Sequence, residues 1–183
     1  MSDRRDVIRN RKVIWQAYLD AAEEKPQGKV TVKDIITRAD VSRGTFYAYY
    51  KSAEDLRSQI THEFLQMMLE LNRFSIQSLY EAPYEGILNI LRSFSKNKRM
   101  VNALTSSGND VSLFEEWQQD IYHILLKVSY YEDDKERNQV MAFSVSSLIT
   151  DNCRETACGH KRISVEKRAR TVSGLIPSKK VTG

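Results

Sequence analysis

Apolar residues recur at intervals of three and four along almost the whole chain, the spacing of helices with one buried face. No segment alternates apolar and polar residues as a half-buried strand would. Val7, Ile14, Tyr18 and Ala21 line the inner side of a first helix from about Asp3 to Glu24, which the break Pro26-Gln27-Gly28 ends. Residues 30 to 56 then predict two short helices and a tight turn. Thr31 is a natural N-cap, and Asp34 three residues on completes a capping box. Val32, Ile35, Ile36 and Ala39 supply the inner face of that helix, which stops near Asp40. Val41 plugs the turn, Ser42 caps the next helix, and Phe46 and Tyr50, four apart, point inward.

Beyond this hairpin the same periodicity continues. Ser52, with Asp55 closing another capping box, opens a long fourth helix. Its stripe Leu56, Ile60, Phe64, Met67, Leu71 and Phe74 reads as one rigid lever. Pro83 sits well in the first turn of a fifth helix carrying Ile87, Leu91 and Phe94. A short sixth holds Met100, Val101 and Leu104 and ends at Ser106–Asn109. Ser112 and Glu115 open a seventh with Leu113, Phe114, Trp117, Ile121, Ile124, Leu125 and Val128. After Tyr131–Asp134 an eighth, about 134–157, places Met141, Val145, Leu148, Ile149 and Asn152 on one face, and Gly159 stops it. Ser164 caps a last helix with Val165, Ala169, Val172 and Ile176, ending at Pro177. The expectation is an all-α chain of about nine helices, without repeats.

The outer face of the second short helix changes this from a fold into a function. A solvated helix surface favours Glu, Lys and Gln, which are strong helix formers. Here Arg43, Gly44, Thr45, Tyr47 and Tyr49 point outward: small, basic and aromatic, suited to lie against a sugar-phosphate backbone. The competing reading is an ordinary helical hairpin with a polar outside. Four stretches resemble the tetracycline-repressor (TetR) family: Ile14–Ala17, Thr31–Ile35, Val41–Tyr47 and Tyr50–Leu56. The resemblance covers about the first 60 residues and beyond them is architectural only.

That resemblance implies a three-helix helix-turn-helix DNA-binding domain over residues 1–51. The long fourth helix would join it to a helical ligand-binding and dimerisation domain over 52–183. It places Ser42 through Tyr49 in the major groove of a double-stranded DNA operator. Arg43 is the one residue there able to fork onto guanine O6 and N7. Gly44 allows close backbone approach, Thr45 and Tyr47 meet phosphate or a thymine methyl, and Tyr49 meets the backbone. Lys33 reaches a base or phosphate, and Thr31 and Lys51 fit phosphate contacts. Two positions depart from the family pattern: Asp40 stands for the usual turn glycine, and Ala53 for a basic residue that commonly meets phosphate. The resemblance further implies a homodimer through the last two helices, with Met141, Val145, Leu148, Val172 and Ile176 at the interface. Ala142, Ser144, Ser146 and Ser147 would let those helices come close. A small-molecule inducer, apolar or aromatic, would sit among helices four to eight against Phe64, Met67, Met100, Phe114, Trp117 and Met141. Plain core packing is the other reading of those six.

Charge supports the division of labour. Residues 1–51 carry 11 Lys and Arg against 7 Asp and Glu, net +4. Residues 52–160 carry 10 against 16, net −6, and residues 161–183 carry 7 against 1, net +6. A basic head on an acidic body fits a head that docks on phosphate. The basic tail is either a solvated end or a second nucleic-acid contact, and Arg4 and Arg5 either a flexible arm or a solubilising terminus. With 183 residues, 41% hydrophobic, the chain can bury a core, yet no apolar run is long enough to cross a membrane. The start MSDRRDVIRNRK lacks the apolar core of a secretory signal, so a cytoplasmic protein is expected. His62, His123 and His160 have no local catalytic partners, and no phosphate loop, nucleophile elbow or zinc-binding histidine pair occurs. No enzymatic activity and no cofactor are therefore expected. Cys153 and Cys158, five apart in one helix, cannot easily bridge. A metal site with His160 would need an unwound helix end. A transcriptional repressor released by an inducer is the leading expectation; control by a protein partner or by thiol oxidation are the alternatives.

Overall fold

The computed structural model describes residues 4–25, 28–105, 111–127, 134–158 and 163–174. The breaks expected at Pro26, Ser106–Asn109 and Gly159 lie outside these, as do Val128, His160, Ile176 and the side chains of Arg4, Arg5, Ser112, Leu113 and Cys158. Among the described residues ten α-helices occur and no strand. They are α1 (Arg4–Glu24), α2 (Val32–Ala39), α3 (Arg43–Tyr47), α4 (Ala53–Leu71) and α5 (Arg73–Gln77). After a single 3-10 turn at Ser78–Tyr80 come α6 (Pro83–Lys96), α7 (Lys98–Thr105), α8 (Val111–Leu126), α9 (Lys135–Cys158) and α10 (Val165–Ser173). The chain forms two compact units: residues 1–64 with 102–110, and residues 65–101 with 111–183. The division between the units falls inside α4, at Phe64/Leu65.

The first unit is a small helical head. Ile14, Tyr18 and Ala21 of α1, Ile35 and Ala39 of α2, Phe46 of α3 and Leu56 and Ile60 of α4 form its buried core. α1 packs along α2. Arg57 of α4 is buried too; its guanidinium pairs with Glu54 and donates to the Leu104 carbonyl at 3.3 Å. A buried charge of this kind needs such partners to be tolerated.

The second unit centres on α6, whose Ile87, Ile90, Leu91 and Phe94 are buried and which packs against α5, α9 and α10. Gly86 lets α6 lie close to the preceding turn: a Cβ there would stand 2.7 Å from the Ser75 carbonyl oxygen. α8 packs along α9. α10 is fastened to α9 through Arg168, itself buried, which pairs with Asp151 and, at 2.8 Å, with Glu155 one turn further on.

Three expectations change. The long fourth helix is not continuous: Asn72, at φ −97°, ψ 11°, separates α4 from α5, giving ten helices among the described residues where nine were expected. Asn72 is buried, and its amide nitrogen donates to the Met68 carbonyl and to Ser93 Oγ, both at 2.6 Å. The Asn72 backbone amide keeps its own bond to the Met68 carbonyl at 3.1 Å, so the side chain shares that carbonyl and adds a tie to α6. The expected stripe also runs out of cover. Leu56, Ile60 and Phe64 are buried, but Met67, Leu71 and Phe74 on the same side are 51%, 66% and 74% exposed. Leu65, Met68 and Leu69, around the helix, are buried instead. Finally, Ser52 Oγ caps α4 by accepting from the Asp55 amide at 3.0 Å, but Asp55 answers to the Lys51 amide, at 2.7 Å, and not to that of Ser52.

Candidate nucleic-acid interface

The helix-turn-helix is set by two caps and one left-handed residue. Thr31 Oγ1 accepts from the Asp34 amide at 3.2 Å while an Asp34 carboxylate oxygen accepts from the Thr31 amide at 2.9 Å, so the predicted capping box is present. The same carboxylate oxygen takes the Lys25 ammonium at 2.7 Å. Lys25, the Thr31 amide and the Thr31 hydroxyl together pull the Asp34 pKa down to about 2. At the other end, Asp40 adopts φ 50°, ψ 48° and its amide bonds the Ile36 carbonyl. Asp40 is the one described non-glycine residue with positive φ, which Asp tolerates better than most side chains. The left-handed position of the turn is thus made, at some cost, with aspartate. Ser42 then opens α3, its Oγ accepting from the Thr45 amide at 3.0 Å and lying 2.9 Å from Thr45 Oγ1.

The reading helix is shorter than expected. α3 covers Arg43–Tyr47, and Ala48 and Tyr49 form a turn, the Tyr49 and Tyr50 amides both reaching the Phe46 carbonyl at 3.0 Å. Phe46 and Tyr50 are buried as the pattern required, and Arg43, Gly44 and Tyr47 are exposed. The Arg43 side chain makes no hydrogen bond or ion pair among the described residues. Thr45 and Tyr49 are half-buried; Thr31, Lys33, Ser42 and Lys51 are exposed. Ala53 is buried under the start of α4 and offers no phosphate contact. All nine expected contact residues therefore belong to one unit and lie at or beside the outer surface of α2 and α3.

A helical glycine costs about 1 kcal/mol relative to alanine. The φ of Gly44 is not left-handed, and a Cβ there would meet only Ser42 Oγ, at an ordinary 3.7 Å. Nothing within the chain calls for glycine at this exposed position.

Sequence reasoning missed the polar support behind this face. Trp15 Nε1 donates to the Tyr50 hydroxyl at 2.9 Å, Arg11 Nε at 3.4 Å, and Asn10 Nδ2 donates to the Tyr49 hydroxyl at 3.4 Å. Arg11 also pairs with Glu63 of α4 at 2.8 Å. The signal was the inward tyrosine itself, because a buried phenol hydroxyl usually finds a partner.

The other expected sites are scattered. Of the six ligand residues, Phe64 belongs to the first unit; Phe114, Trp117 and Met141 are buried in the second, Met100 is half-buried and Met67 is exposed. Phe114 and Trp117 pack edge to face at 6.3 Å, with the Arg154 guanidinium 5.3 Å from the Phe114 ring. Of the expected dimer residues, Met141, Val145 and Leu148 are buried within the single chain and Val172 is half-buried. The outward face of α9 carries Val140 and Phe143 instead, 66% and 56% exposed. Cys153 is buried and burial pushes its thiol up, away from the thiolate that oxidation requires, so a sensor at this residue has no support.

Residues 19–60 match the family of bacterial regulatory proteins designated tetR. An uncharacterized HTH-type transcriptional regulator of Bacillus subtilis (strain 168), YxbF, is 30% identical over 110 residues, which are 56% of this chain and 27% of that protein. The chain thus spans about a quarter of that relative's length. Three solved structures share the fold over nearly their whole length. A TetR-family transcriptional regulator from Syntrophomonas wolfei has a TM-score of 0.70 at 17% identity, covering 91% of this chain and 92% of its own. The dihydroxyacetone kinase operon activator DhaS has 0.59 at 19%, covering 91% and 93%. A TetR regulator from Streptococcus agalactiae 2603V has 0.52 at 20%, covering 94% and 96%. At these identities the likeness is one of fold.

The capping cluster makes a pH-dependent prediction. Because the Asp34 pKa is lowered in the fold, its stabilisation is complete above the unfolded value near 4 and is lost as pH falls through 2. Asp34→Asn should therefore melt below wild type at neutral pH, and the gap should close as pH falls from about 4 to about 2. Paired thermal melts across that range decide it; a gap independent of pH would show that the carboxylate is not held by Lys25 and Thr31.

Proposed function

We propose that the chain is a DNA-binding transcriptional regulator of the tetR type, an operator-binding repressor released by a small molecule; the match of residues 19–60 to that family and the HTH-type regulator that the chain resembles support this reading. The observation that carries the DNA-reading role is the outer face of α3. Arg43 stands unengaged, and Gly44 beside it has no reason inside the fold. In this reading Arg43 forks onto guanine, and Gly44 and Thr45 let the helix approach the groove. Tyr47 and Tyr49 lie against the backbone, while Thr31, Lys33, Ser42 and Lys51 hold phosphates.

Repression is the simpler sign, because occupancy alone excludes polymerase, whereas activation needs a further surface that contacts it. The fold itself is neutral on this point, since one of its neighbours is an operon activator. The inducer is placed in the second unit, where Phe114 and Trp117 of α8 and Met141 of α9 offer buried apolar and aromatic surface. A promoter reporter carrying the selected operator tests the sign: higher expression on deletion of the regulator supports repression, and lower expression reverses it.

Two-fold operators require a dimer. Met141, Val145 and Leu148 are occupied within the chain, so the interface is assigned to the opposite face of α9. There Val140 and Phe143 are exposed with the small Ser144 beside them, while Ser147 at the edge of that face is engaged by Gln118 of α8 at 2.8 Å.

Three outcomes are expected. Arg43→Ala should weaken binding to a duplex selected from a random pool by about 1–3 kcal/mol and relax preference at one base pair per half-site. Lys51→Ala should instead weaken all sequences alike and reduce the salt slope by about one unit. Titrations on matched and mismatched duplexes at several salt concentrations separate them; equal, sequence-independent losses would remove Arg43 as a base reader. Gly44→Ala should raise the melting temperature, with up to about 1 kcal/mol of added helix stability, yet weaken the same duplex. Unchanged affinity in a stabilised variant would leave the glycine without its assigned role. Phe143→Glu should yield a folded monomer by sedimentation, whereas Leu148→Glu should unfold the chain by burying a lone charge. A Phe143→Glu dimer as tight as wild type would place the interface elsewhere.

A further inference from the structure

The end of the reading helix is held by an arrangement that packing alone does not require. Tyr50 is only 1% exposed, and its ring lies among Phe46 and Tyr49 with centroids 5.7 and 6.3 Å away. A phenylalanine would fill that volume. The hydroxyl adds a polar group to a nearly dry site, where it must be satisfied. It is satisfied from one side only, by α1. Trp15 Nε1 donates to it at 2.9 Å and Arg11 Nε at 3.4 Å, four residues apart and therefore on one face of that helix.

Arg11 does not end there. Its Nη2 reaches Glu63 of α4 at 2.8 Å, and its guanidinium lies 5.9 Å from the Trp15 ring centroid. The ion pair is exposed, 40% and 52% for the two side chains, and such pairs add little to stability. What a planar fork of donors offers at such a place is geometry. One guanidinium thus spans α1, the residue that follows α3 and α4. Next to it, Asn10 Nδ2 donates to the Tyr49 hydroxyl at 3.4 Å.

We propose that Tyr50 and Arg11 are positioning residues that fix the angle at which α3 is presented, joining the reading helix to α1 through the Tyr50 hydroxyl and to α4 through the Arg11–Glu63 pair. The proposal rests on the reading of α3 as the DNA-contacting helix. α3 has only five residues and cannot set its own direction. Phe46 anchors its inner side, and the Tyr50 hydroxyl fixes rotation about that anchor. A small tilt would leave phosphate contacts in reach while moving Arg43 off a base edge, because positioning contacts are spread out and base contacts are directional.

Tyr50→Phe tests this, since it removes one oxygen and no volume. The probe is the duplex that wild-type protein selects from a random-sequence pool, with a scrambled duplex as the non-specific control. Specific affinity should fall about tenfold, the scale of a lost hydrogen bond that orients a reader, with non-specific affinity and salt slope unchanged. Concentrations are referred to the folded fraction measured on the same preparation. A lower melting temperature with unchanged specific affinity per folded molecule makes Tyr50 merely structural and overturns the proposal. So does an equal loss on both duplexes. Glu63→Gln, at an exposed position, supplies the second leg: a smaller loss alone and none beyond that of Tyr50→Phe in the double variant. Fully additive losses would exclude the route through Arg11. If wild-type protein selects no duplex at all, it is the DNA-reading role of α3 that fails, a result distinct from any of these.

Discussion

A five-residue helix cannot hold itself in water, and the function assigned to this chain rests on one. α3 lies below the length at which propensity matters, so its existence and direction are imposed from outside. Ser42 satisfies the Thr45 amide at its start, the left-handed Asp40 swings the chain into it, and Phe46 buries its inner side completely. Tyr50 then closes the far end against α1. Each constraint acts on backbone or on the inward face, which leaves the outward face free of structural duties. That freedom is what lets Arg43, Gly44 and Tyr47 be chosen for something other than stability.

The head was legible because its signals are local. Caps act over three residues, and a turn residue acts on its own dihedral angles, so Thr31, Asp34, Asp40 and Ser42 could be read one at a time. The inward pair Phe46 and Tyr50 followed from helical spacing. Legibility ended where a side chain meets a partner far along the chain. Asn10, Arg11 and Trp15 look like the ordinary outer and flanking positions of a surface helix, and their bonds to Tyr49 and Tyr50 span 35 to 39 residues.

In the second unit the pattern showed which positions are apolar but not which side the neighbours occupy. The stripe from Leu56 to Phe74 is real as a sequence pattern, yet it is covered only as far as Phe64; past that point Leu65, Met68 and Leu69 carry the burial. α9 repeats the problem. It is apolar over much of its circumference, with Met141, Val145 and Leu148 on one side and Val140 and Phe143 on the other. Such a helix must bury two faces, and periodicity cannot say which one is spent inside the chain. The expected interface residues fell on the inner face for that reason.

The departures from local rules in this chain are not spread evenly. A non-glycine residue at positive φ, a glycine within a helix and a hydroxyl in a nearly dry core all fall between residues 40 and 50. The first two lower the stability of the head by amounts that Gly at 40 and Ala at 44 would restore, whereas the Tyr50 hydroxyl is tolerated because Trp15 and Arg11 donate to it. Local consistency is what makes a sequence fold, and violations collect where a second demand competes with folding. The first two flank and enter α3, beside an outward arginine that has no hydrogen bond or ion pair among the described residues, and the proposed contact with DNA is a demand of that kind. A strained reading element stays in place only if its surroundings over-determine it.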